Sequence, residues 1–209
     1  MRSLFSLDSP VMQALSRLYD LMLLNVLFLI TCIPIVTIGA ASAALYTVCF
    51  RLGTYREDGI FKPYFRAFRD NFKQATGLWL ILLLWGSASG VNALLFYQQT
   101  GVLRWAVVLF VGLFVLALMI AAYTFPLLSR FRNGSRATVK NALLLSVGYL
   151  PRSLVMVVLN VLPFGLLVFH LYLFLQLSLL WLAIYFVAAA YLNCLLLRKV
   201  FAPYIQETP

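Results

Sequence analysis

The chain has 209 residues, of which 64% are hydrophobic and only 11% charged, with a mean hydropathy of +0.96. A soluble domain carries about 25% charged residues, and 16 basic and 6 acidic side chains cannot cover the surface of one this size, so a soluble globular enzyme is excluded. The net charge of +10 would suggest nucleic acid in a soluble protein, but the bases lie between long uncharged runs, where a bilayer protein keeps its cytoplasmic loops, and that accounts for them without nucleic acid.

The pattern predicts a single integral membrane domain over 1–209: an all-α, polytopic helical membrane protein. It has about six transmembrane helices, the first two short, plus an interfacial amphipathic helix. About 20 apolar residues cross the ~30 Å hydrocarbon core. The first uncharged run, Leu21 to Phe50, is long for one crossing and short for two. Pro34 cannot continue a helix and Gly39 follows, so Pro34-Ile-Val-Thr-Ile-Gly39 reads as the turn of an N-terminal helical hairpin, 12–56. Two crossings need Arg17, Asp20 and Arg51 to snorkel toward the cytoplasmic headgroups; a re-entrant hairpin is the alternative.

Next comes the amphipathic helix, 60–75. Phe61, Phe65, Phe68 and Phe72 recur at steps of four, three and four on one face, and Lys62, Arg66, Arg69 and Lys73 take another. Such a helix lies in the headgroup plane against the anionic inner leaflet, either as a topology anchor or as a docking face for a partner. Residues 76–129 hold spans three and four, with Gly86 and Gly90 forming a GxxxG step. A basic cytoplasmic segment follows, 130–152. The last run is read as a C-terminal helical hairpin, 153–197, turning between Phe169 and Gln176, with Pro163 kinking its first leg. A basic amphipathic stretch followed by two spans thus occurs twice, though residue identity between the halves is poor.

With the N-terminal hairpin crossing twice, 15 basic residues fall inside and only Arg104 outside; a single crossing there gives 13 and 3. The positive-inside rule therefore places both termini in the cytoplasm.

Catalytic constellations are nearly absent. The one histidine, His170, has no carboxylate near it in sequence, and all six acids lie outside the uncharged runs. No Walker motif exists to power anything with ATP. Cys32, Cys49 and Cys194 show no CxxC spacing and read as buried reduced thiols. No enzyme, cofactor or metal site is expected. The polar groups at membrane depth are amides, Asn25, Asn92, Asn160 and Asn193, for which helix packing is favoured over a solute path.

Five elements carry a resemblance: Phe5 to Pro10, Leu21 to Asn25, Cys32 to Ala40, Ala67 to Ala75, and Tyr191 to Asn193 with Arg198 to Ile205. In order and over nearly the whole chain they resemble the YesL family, bacterial integral membrane proteins carrying a domain of unknown function. The resemblance implies the bacterial cell membrane and a link to oligosaccharide uptake, because such proteins are commonly encoded beside ABC importers. It carries over no catalytic residues. Two functions follow as expectations: an accessory or assembly protein of a carbohydrate ABC importer, and an uncoupled transporter or channel for a small polar solute.

Overall fold

The computed structural model describes residues 10–51 and 59–205. The expectations for Arg2, Arg56, the close of the 12–56 hairpin, and Asp8, Glu57, Asp58 and Glu207 lie outside the described residues. Every described element is helical, with no strand among the described residues. In order they are α1 (Pro10–Cys32), a 3-10 turn (Ile35–Thr37), α2 (Ile38–Arg51), α3 (Phe61–Tyr97), a second 3-10 turn (Gly101–Trp105), α4 (Ala106–Arg130) and α5 (Ser135–Gly148). The rest are α6 (Leu150–Phe169), α7 (Leu171–Gln176), α8 (Ser178–Leu180), a π turn (Trp181–Tyr185) and α9 (Phe186–Ile205). Five stretches are long and apolar enough to cross a membrane: Leu15–Cys32, Phe61–Tyr97, Gly101–Arg130, Leu150–Phe169 and Ser178–Ala202.

The turn at Pro34 forms as the sequence predicts. Thr37 holds it: its Oγ1 donates to the carbonyls of Thr31 (2.6 Å) and Pro34 (2.7 Å), satisfying acceptors that the helix end leaves open. The helices on either side differ from expectation. Helix α1 is long enough to cross, so only α2 is short. At 14 residues α2 spans ~21 Å against a ~30 Å hydrocarbon core. It is also the most enclosed helix, buried from Gly39 through Phe50 save Ser42, because a run of glycine and alanines lets its neighbours approach closely. Gly39 abuts Ala75 and Trp79 of α3, while the Phe50 carbonyl accepts from Arg198 (3.3 Å) and the Phe50 ring lies 5.7 Å beneath the Arg130 guanidinium. Helix α2 is therefore packed as a core helix, shorter than the five stretches long enough to cross.

The amphipathic stretch forms as a helix, but as the first turns of α3, with no break between residues 75 and 76. The C-terminal hairpin turns where predicted: α6 ends at Phe169, His170 leaves helical geometry (φ −142°, ψ 62°), and α7 and α8 follow. Helix α6 runs unbroken through Pro163.

Asn25 of α1 bonds to Trp181, Leu182 and Val187 at the start of the last span, and the Thr31 hydroxyl lies 2.6 Å from that of Tyr64 on α3. The carboxyl end of α9 sits at the basic end, where Phe201 packs on Phe131 (5.5 Å between ring centroids). Cysteine labelling tests the expectation that both ends of the chain face the cytoplasm. Ser16→Cys and Arg132→Cys should react only after permeabilisation and Gln99→Cys in intact cells; a Ser16→Cys that reacts from outside, as Gln99→Cys does, overturns it.

Candidate functional site

The buried polar chemistry gathers around the last span. Between Trp181 and Tyr185 the helix widens into a π turn, which frees backbone groups from the i→i−4 ladder. Asn25, fully buried on α1, takes them up. Its Nδ2 donates to the carbonyls of Trp181 (3.0 Å) and Leu182 (2.8 Å), and its Oδ1 accepts from the Val187 N–H (3.2 Å). One amide thus satisfies three backbone groups where no water competes, and ties the first helix to the last.

Two turns further on, Asn193 donates from Nδ2 to the Tyr46 hydroxyl of α2 (3.0 Å) and to Asn160 Oδ1 of α6 (3.2 Å). Its own Oδ1 is buried with no hydrogen-bond partner. Nearby is a cavity of about 60 Å³ lined by Ser42, Tyr46, Asn160, Tyr185, Phe28 and Phe186 among others. Three of the four asparagines singled out in the sequence therefore meet around α9. Asn92 does not: its Nδ2 folds back on the Ala88 carbonyl of its own helix (2.8 Å).

The GxxxG step packs within the chain. An added Cβ would lie 4.0 Å from Ala117 at Gly86 and 3.7 Å from the Phe114 ring at Gly90, ordinary contact distances. Gly39 is the tight position, where the same atom would meet the Ala75 carbonyl oxygen at 2.5 Å and Trp79 Cβ at 2.6 Å.

On α3 the sequence distinguishes two faces and the structure shows a third. Tyr64, Ala67 and Ala75 are buried, with Asn71 and Gln74 half-buried beside them, and this strip packs inward. Gln74 Nε2 donates to the Asn133 carbonyl (2.8 Å) and Trp79 Nε1 to that of Ile35 (2.8 Å). Phe61, Phe65 and Phe72 stay exposed, as do Lys62, Arg66, Arg69 and Lys73, while Phe68 packs partly against the core. The spacing of 64, 67, 71 and 75 is itself helical, and it is the signal that the aromatic pattern masked. The carbonyl partners of Asn25, and Thr31 as partner of Tyr64, had no sequence signal.

Among the described residues, no group of three or more His, Cys, Asp or Glu side chains could hold a metal ion. Cys49 and Cys194 are buried and Cys32 half-buried, all three as free thiols.

Residues 21–93 match the family model described as "Protein of unknown function, DUF624". An "Uncharacterized protein YteU" of Bacillus subtilis (strain 168) is 34% identical over 134 residues, which is 62% of this chain and 59% of YteU. The chain spans about three-fifths of the length of that relative. No solved structure matches. The matched segment contains the Leu21 to Asn25, Pro34 to Gly39 and Ala67 to Ala75 elements that carry the resemblance to the YesL family, and that resemblance is consistent with DUF624.

Proposed function

We propose that this is an accessory or assembly protein of a carbohydrate (oligosaccharide) ABC importer in the bacterial cell membrane, with the basic end of the bundle in the cytoplasm. The observation that supports it best is the division of polar groups. Asn25, Asn160 and Asn193 are engaged in helix-to-helix bonds, whereas the charged side chains of α3 and α5 are exposed at one end, free to meet something else. The importer itself is drawn from the YesL resemblance. Deleting the gene should reduce uptake of an oligosaccharide by lowering the amount of a neighbouring importer in the membrane. The purified protein should carry no sugar into liposomes.

The alternative, an uncoupled path for a small polar solute, draws on the cavity beside Asn160 and Tyr46. Its volume of about 60 Å³ suits water, whereas sites for small molecules run to roughly 300–1,000 Å³. Saturable flux through the protein alone, lost in Asn160→Leu, is the result that would favour this reading.

A further inference from the structure

The first turns of α3 extend past the part that a bilayer can cover. Helix α3 has 37 residues and is ~55 Å long. Counting back from Tyr97, the hydrocarbon core takes up roughly 20 residues and brings its inner boundary close to residue 76. Residues 61–75 continue the same helix for ~22 Å more, whereas a headgroup layer adds only about 5–8 Å on each side. An amphipathic helix that lies in the headgroup plane has to turn as it leaves its span, and α3 runs on as one helix. Its first two turns therefore stand in the cytoplasm.

Those turns carry Phe61 and Phe65 at 49% and 44% exposure, followed two turns after Phe65 by Phe72 at 37%. At 100° per residue the three rings fall within a ~40° arc. Lys62, Arg66, Arg69 and Lys73 occupy the arc beside them, four bases against the single acid Asp70. Exposed aromatic surface of this kind marks an interaction site. Its charge selects the occupant. A second copy of a chain with net charge +10 is repelled, and lipid reaches at most the later turns. An acidic segment with apolar side chains at helical spacing matches both strips, by the helix-in-groove logic in which apolar anchors give affinity and charge gives register.

We infer that Phe61, Phe65 and Phe72, with Lys62, Arg66, Arg69 and Lys73, form a docking surface for an acidic amphipathic segment on the cytoplasmic side of a partner membrane protein. The inference rests on the accessory reading above and specifies its contact.

The test is photo-crosslinking in native membranes, with benzoylphenylalanine placed in turn at Phe61, Phe65 and Phe72, and at Leu109 on the outer surface of α4 as the lipid-facing control. The expected adduct at the three phenylalanine positions is a protein whose crosslinked peptide is net acidic. Its yield should fall at least fivefold in an Arg66→Glu, Arg69→Glu background in which the amount of protein in the membrane is unchanged. Lipid adducts alone, adducts to a second copy, or protein adducts insensitive to the charge reversal overturn the docking surface. These outcomes separate from the accessory reading. If importer abundance depends on the protein while positions 61, 65 and 72 yield only lipid, the docking surface fails and the accessory role stands. If an acidic peptide is captured from a protein unrelated to any importer, the surface stands and the importer assignment fails.

Discussion

Replacing Asn25 with Leu should lower the stability of the protein by about 2–4 kcal/mol, read as an earlier thermal unfolding transition in detergent and a smaller amount in the membrane. The leucine side chain has the branching of the amide but is larger, so crowding adds to the loss of bonds at this fully buried site. What is lost is the partner of two carbonyls and one N–H at the π turn. A buried backbone group left unmet costs roughly 1–3 kcal/mol, and in a bilayer no water replaces the partner. Single hydrogen bonds measured in membrane proteins are smaller, averaging about 0.6 kcal/mol, because the unfolded chain in lipid also finds partners. Three bonds on one amide bring the sum into the stated range. Asn92→Leu is the internal control, since that amide bonds only to its own helix, and it should shift the transition little. An Asn25→Leu protein that unfolds together with wild type would show that the π turn satisfies its backbone in some other way.

Gly39→Ala should be the most damaging of the glycine substitutions although it adds one methyl group. That methyl would sit 2.5 Å from a backbone oxygen of α3 and 2.6 Å from the first side-chain carbon of Trp79, and neither atom can swing aside. The helices must separate, and α2 is the helix around which the others pack. Overpacking of this kind costs about 1–3 kcal/mol, and separation also strains the Trp79 to Ile35 bond. Gly86→Ala and Gly90→Ala place the same group at ordinary contact distance and should change stability by less than about 0.5 kcal/mol. Equal losses at all three positions would mean that helix propensity, and not close approach, sets the cost.

These two residues show how far the sequence could be read. The membrane class, the apolar runs, the turn at Pro34 and the break near His170 are legible because hydrocarbon demands about 20 apolar residues per crossing and proline removes a donor. Asn25 was legible as a packing residue, and its partners were not, because a backbone carbonyl freed by a π turn carries no side-chain signature. Gly39 was legible as the end of the turn that begins at Pro34, and only the approach of α3 sets it apart from Gly86 and Gly90. On α3 the phenylalanine strip gave the louder pattern and the quieter one, Tyr64, Ala67 and Ala75, packs inward. In lipid, apolar character does not distinguish the side facing protein from the side facing the bilayer.

The π turn at Trp181–Tyr185 also bears on the phase of everything that follows it. A turn of this kind holds one residue more than an α turn, so deleting a single residue there would restore a regular helix and leave the rest of α9 close to its present phase. Asn193 would still face Tyr46 and Asn160, and Phe201 would still face Phe50 and Phe131. What the deletion would remove is the irregular backbone that Asn25 binds. A residue deleted from the regular turns of α9 would instead rotate everything beyond it by about 100° and break those contacts. The π turn is therefore where the length of this helix can change while its far end keeps its face.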